Sequence, residues 1–220
     1  MHPPVGYGVL WERGGLLLKV RHAPRIDANR PLAGRVIAVD PGHPPIGSTG
    51  PTGFYEGDAT LQIGEQLKQL LEEKGATVVM TRTTRAAVAL GDRPIMARRS
   101  NADVFISIHL NALPDGANPF RAATGSGTYF FYDQSEPLAR LVQKGLVRRM
   151  GLRDNGINYD NLAVARNTWL PAILCEGAFL ILPEQEAALR TVEFQRRYAR
   201  GIAEGVEEYF RSLVAPGRMP

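Results

Sequence analysis

Cysteine is nearly missing from this 220-residue sequence: Cys175 stands alone, so no disulfide closes within the chain and no cysteine cage can hold a metal. A bound metal would depend on His, Asp or Glu. Long apolar runs are missing as well. Stretches such as "LAVAR" and "AILCEGAFLIL" are broken by charge or glycine well short of the roughly 18 residues a membrane span requires, and no span is expected. The opening "MHPPVGYGVLWERGG" lacks a basic segment followed by an apolar core, so no signal peptide is read in it. Concentrated positive charge is also missing. The formal net charge is +4, but "RRSN", "VRRM" and "QRRYAR" lie mostly in helical patterns and form no aromatic-studded basic stretch; nucleic acid is not an expected partner.

What is present is enough apolar sequence, 44%, for one sizeable core with a small appendage. Residues 7–20, "YGVLWERGGLLLKV", are two β-prone runs around Gly14 and Gly15, a hairpin signal, and "RHAPRIDANRPLAG" reads as a linker. Residues 1–34 are therefore assigned as a hairpin and linker. They suit the end of a preceding β domain, an added edge ribbon, or an arm packed on the main domain.

Residues 35–214 alternate strand and helix. Strands are expected at "RVIAVD", "TVVMTR", "DVFISIHL", "SGTYFFYD", "LAVAR" and "AILCEGAF", with "LRDNGINYDN" as a loop. Helices are expected at "DATLQIGEQLKQLLEEKG", capped by Asp58 and ended by Gly75, and at "GDRPIMARRSNA", "SEPLARLVQKGLVRRMG", "PEQEAALRT" and "EFQRRYARGIAEGVEEYFRSL". The fold class is α/β: an open, twisted, mostly parallel six-stranded sheet with helices on both faces, plus the N-terminal hairpin.

Ligands of such sheets gather beyond the carboxyl ends of the strands. His2 and His22 lie in the appendage, so both histidines of the main domain, His43 and His109, fall at strand ends. Two imidazoles and one carboxylate are a common donor set for a hydrolytic zinc that keeps one position open for water. Glu56 is the favoured third donor and Asp58 competes, although helix capping suits Asp58 better. Glu176 interrupts an apolar strand; it is either paired, for instance with Arg166, or faces a polar cavity as a base. Strand alternation turns Cys175 the other way, into the core.

The stretches "VIAVDPGH", "YEGDATLQIGEQLKQLLEEKGATVVMTR", "RPIMARRSNADVFISIHLNA", "GSGTYFFY" and "NLAVARNTWLPAILCEGAFLILPEQEAAL", in this order, resemble the zinc-dependent N-acetylmuramoyl-L-alanine amidases, the type 3 cell-wall amidases. The resemblance spans about residues 35–212. It implies Zn²⁺ held by His43, Glu56 and His109, with Glu176 as the catalytic base, and peptidoglycan as substrate, cleaved between N-acetylmuramic acid and L-alanine. Asn111 and Arg166 become substrate-binding candidates. Regulated members carry a long helical insertion after the strand matching "GSGTYFFY", which plugs the zinc site. Here "DQSEPLARLVQKG" starts a helix almost at once, so no activator protein is expected to be required. A monomer acting in the cell envelope outside the cytoplasmic membrane is expected. The alternatives are a zinc carboxypeptidase or endopeptidase on the stem peptide, or a non-catalytic wall-binding module. Pro44 and Pro45 depart from the family's glycines, as do Gly57 from its lysine and Ile181–Leu182 from its "SN".

Overall fold

A computed structural model of the protein describes residues 4–113, 116–119 and 121–214; His2 lies outside them. The main domain runs β3 (Val36–Pro41), α1 (Glu56–Glu72), β4 (Thr77–Met80), α2 (Asp92–Arg99), β5 (Val104–Asn111), β6 (Ser126–Phe130), α3 (Glu136–Met150), β7 (Asp154–Tyr159), β8 (Ala172–Phe179), α4 (Pro183–Leu189) and α5 (Val192–Ser212). Its six strands are ordered β4-β3-β5-β8-β6-β7. The first four are parallel, β6 reverses against β8, and β7 runs parallel to β6.

Side-chain alternation divides the sheet between two cores. Ile37, Val39, Ile106, Ile108, Ile173 and Cys175 enter the larger one, beneath α1, α3 and α5. Ala38, Phe105, Ala172 and Leu174 enter the smaller, covered by α2 through Ala97 and by Val164 and Leu170 from an irregular segment. Helices thus cover both faces, three long ones on one side and a short one on the other. The periodic stripes read from sequence are buried: Ile63 and Leu67 on α1, Leu138 and Val142 on α3, Tyr198 and Ile202 on α5.

Three local expectations are corrected. "LAVAR" is not a strand: residues 163–165 form a turn, with Val164 and Ala165 buried. Its apolar character reports burial in the small core, which a loop satisfies as well as a strand does. The sixth strand is instead β7, inside the expected loop "LRDNGINYDN". Its polar residues suit a sheet edge, β6 supplies its ladder, and Gly156 (φ 73) lies within its irregular register. Asp58 is not the cap of α1, because that helix starts at Glu56 with Tyr55 preceding it. Asp58 lies in the first turn and pairs with Arg85 at 2.7 Å.

The appendage forms its own two-stranded sheet, β1 (Pro4–Glu12) with β2 (Gly15–His22). Arg13 (φ 48) and Gly14 (φ 77) make the two-residue turn, both left-handed as a type I′ hairpin requires. The ribbon docks through the Tyr7 amide on the Thr168 carbonyl at 2.7 Å and through Arg21, which donates to the Ala102 carbonyl at 2.6 Å and pairs with Asp103. Gly8 lies flat on the Trp169 ring, where a Cβ would sit 3.3 Å from the ring. Leu32, in the segment between ribbon and sheet, is buried in the main core.

Candidate metal centre

Pro41 of β3 lies opposite Ile108 of β5, and the Gly42 amide donates to the Ile108 carbonyl at 2.9 Å. This register brings His43 and His109 together at the carboxyl edge of the sheet, with ring centroids 4.8 Å apart at 79°. His43 has φ 59, a left-handed conformation few non-glycine residues adopt, which turns its ring back over the strand ends. Gly42 has to be glycine, since a Cβ there would lie 2.4 Å from the His109 ring.

The third donor arrives by a folded loop. The Glu56 amide donates to the Ser48 carbonyl at 2.9 Å, and Thr49 bridges Tyr55. Glu186, buried on α4, anchors the loop by accepting from the Thr52 hydroxyl at 2.8 Å and the Thr52 amide at 3.1 Å. The carboxylate of Glu56, a residue only 2% exposed, then sits with Oε1 3.1 Å from His43 Nε2 and 3.3 Å from His109 Nδ1. The same oxygen accepts from the Leu110 amide and Oε2 from the Ser48 amide, each at 2.9 Å. Burial alone would raise the pKa of Glu56, but hydrogen bonds with His109 and His43, and their charge, outweigh it and hold the carboxyl well below its usual range.

The donor atoms of His43, Glu56 and His109 all lie within 4.8 Å of one another. Tetrahedral zinc with N and O bonds near 2.0–2.1 Å separates its ligand atoms by about 3.3 Å, close to the two observed contacts to Glu56. The set therefore fits a zinc-like ion in both chemistry and spacing.

Glu176 of β8 lies opposite His109 in the β5–β8 ladder. The residue keeps partial exposure, but its Oε2 is shut off from solvent and has no hydrogen-bond partner. Burial, and then the negative charge of Glu56, push its pKa well above the ordinary carboxyl value. The register moves from His109–Glu176 to Asn111–Phe179, so β8 carries one extra residue directly after Glu176. Such bulges re-aim side chains at the rim of a site. On the other face Cys175 is buried in the main core, and burial raises its thiol pKa far above neutrality, so it is no nucleophile.

A buried polar network beneath the turn has no counterpart in the sequence-based reading. Asp40 is fully buried, accepts from Ser107 at 2.7 Å and from Thr81, and pairs with Arg93 at 2.8 Å. Arg93 also donates to the carbonyls of Pro41 and Pro44, each at 2.9 Å. Arg82 donates to Pro41, Gly42 and Gly57 carbonyls at 2.8, 2.9 and 2.6 Å. Two guanidiniums thus grip the backbone that presents His43. The signal available was Asp40 itself, a charge ending an apolar strand, which demands a buried cation.

Asn111, the last residue of β5, is half-buried and near Tyr129, whose hydroxyl pKa is raised by burial and by the charge of Glu176. Arg166 is exposed just after the 163–165 turn and makes no ion pair with Glu176 among the described residues. A groove of about 380 Å³ opens beside His43 and His109, walled by Pro44, Pro45, Ile46, Leu90, Leu162 and Val164. The two prolines thus form a wall of the groove next to the candidate metal donors.

A mostly parallel α/β sheet whose carboxyl edge gathers two imidazoles, a carboxylate and a second, partnerless carboxylate has the architecture of a metal-dependent hydrolase. Comparison with known proteins narrows the class: the family model described as N-acetylmuramoyl-L-alanine amidase (Amidase_3) matches residues 37–208, and the chain belongs to this family. It is 33% identical over 189 residues to the "Probable cell wall amidase LytH" of Staphylococcus epidermidis, covering 84% of this chain and 62% of that protein. The chain thus spans less than two thirds of that relative's length. It is 30% identical over 209 residues to the "Uncharacterized protein YqiI" of Bacillus subtilis, covering 92% and 98% of the two chains. Among solved structures, the N-acetylmuramoyl-L-alanine amidase from Clostridium difficile 630 superposes with a TM-score of 0.74 at 38% identity, over 80% of this chain and 96% of that one.

Proposed function

We propose that this chain is a Zn²⁺-dependent amidase that hydrolyses the bond between the lactyl group of N-acetylmuramic acid and L-alanine in peptidoglycan. The observation that carries the proposal is the pairing of the His43–Glu56–His109 cluster with the partnerless oxygen of Glu176 across one strand. His43, Glu56 and His109 would hold the Zn²⁺, which would supply Lewis acidity toward the scissile carbonyl and the attacking water. Glu176 accepts the proton of the attacking water and delivers it to the departing amine of L-alanine.

Asn111, beside Tyr129 at the end of β5, offers amide hydrogen bonds to the substrate. Arg166, exposed near the groove wall formed by Leu162 and Val164, offers a guanidinium to a stem-peptide carboxylate. Only two residues separate β6 from the helical turn at Asp133–Ser135 that leads into α3, which leaves no room there for a plugging helix. The enzyme accordingly acts without an activator protein. Its substrate places its work outside the cytoplasmic membrane, and no helix among the described residues is long and apolar enough to cross one.

Mass spectrometry of purified peptidoglycan digested by the purified chain tests this. Intact stem peptides with a free L-alanine amine are expected. Stem peptides shortened or cut internally, still joined to muramic acid, would overturn the amidase in favour of a carboxypeptidase or endopeptidase.

A further inference from the structure

The ribbon β1–β2 carries an apolar face that the rest of the molecule leaves open. Directly opposed residues of an antiparallel pair share a face, and three successive pairs, Tyr7–Val20, Val9–Leu18 and Trp11–Leu16, are apolar throughout. Their exposures run from 39% at Tyr7 to 73% at Trp11. The charged Glu12, Lys19 and Arg21 alternate onto the opposite face, which is the face that rests on Trp169 and Asp103, and Arg13 lies in the turn.

These six residues present on the order of 700 Å² of mostly apolar accessible surface, backbone included, at the upper end of the ~300–600 Å² of the largest patch on a typical monomer and approaching the ~800 Å² each partner gives a standard interface. A sheet face of this kind is what one layer of a β-sandwich offers the other. The face carries no charge, so stacking it on its own copy about a two-fold axis buries no ion. Lipid fits it less well: apart from Tyr7, whose amide is taken by Thr168, the ribbon edges hold backbone N–H and C=O groups that water satisfies and hydrocarbon does not.

We propose that a second copy of this chain covers this face, the two ribbons stacking as a four-stranded, two-layer sandwich. The protein is then a dimer and not the monomer expected from its sequence. Pairing through the ribbon is independent of the chemistry at the sheet edge.

Sedimentation velocity over a dilution series tests it, comparing the unaltered chain with Leu16→Glu/Leu18→Glu and, as an independent single change, Val9→Lys. The unaltered chain is expected at twice 24.1 kDa, dissociating on dilution. Both variants are expected at 24.1 kDa throughout, with the unaltered circular dichroism spectrum and metal content. A monomeric unaltered chain at every concentration, or a folded variant that still dimerises, overturns the proposal. So does co-sedimentation of the monomer with phosphatidylglycerol-containing vesicles, which would make a membrane the occupant.

Discussion

The carboxyl edge of the sheet and the N-terminal ribbon break the usual partition of polar and apolar groups in opposite directions. At the sheet edge Glu56, Asp40 and Arg93 are buried, and Glu176 hides an oxygen with no partner. On the ribbon Trp11, Leu16 and Leu18 stand in water. Buried polar atoms are costly unless something pairs with them, and a contiguous exposed apolar patch is costly unless something covers it. At the sheet edge every buried charge but one among the described residues is paired, and the exception, Glu176 Oε2, marks where chemistry can be done; on the ribbon the open apolar face marks where another surface can dock. The first site is built by long-range register and two arginine clamps, while the second arises from one hairpin and its alternation.

Substitutions separate the two regions in order of effect. His43→Ala or His109→Ala should abolish stoichiometric zinc by elemental analysis, and hydrolysis with it. The loss of metal affinity should exceed the roughly 10–100-fold that removing an outer-sphere partner causes. Retained zinc would break the assignment of donors.

Arg93→Met leaves Asp40 buried beside Thr81 and Ser107 without its cation, and urea denaturation should show a loss of about 3–5 kcal/mol. A loss under ~1 kcal/mol would mean that the network is not what holds the turn. Thr191→Ala belongs to neither region and sets the scale. Thr191 caps α5 by accepting from the Phe194 amide at 3.2 Å, and its removal should cost about 1 kcal/mol with unchanged zinc. Smallest of all, Leu16→Glu/Leu18→Glu should shift stability by no more than ~0.5 kcal/mol, measured at dilutions where both proteins are monomeric. A larger shift would mean that the ribbon face is already packed within one chain.

The sequence made the site more legible than the fold around it. Each candidate donor lies at or just beyond an element end: His43 after "RVIAVD", His109 near the end of "DVFISIHL", Glu56 at the start of α1. A strand terminus is readable from local pattern, so the rim could be assembled without tertiary information. The exchange of "LAVAR" for β7 shows the limit. Hydrophobicity marked Val164 as buried but could not say whether strand or turn would bury it, and the polar edge strand gave no apolar alternation. The Asp40–Arg93 pair is separated by 53 residues, and only the fold brings it together. The alternation in "YGVLW" and "LLLKV" is visible in the sequence, yet which face stays open depends on where Trp169 lies.

The most direct test of the central claim is Glu176→Gln, assayed in parallel for bound zinc and for release of stem peptides from peptidoglycan. A group that moves the proton but does not hold the metal predicts full zinc occupancy, a native circular dichroism spectrum and hydrolysis slower by about 10²–10⁴-fold. Undiminished hydrolysis by the zinc-loaded variant would contradict the account.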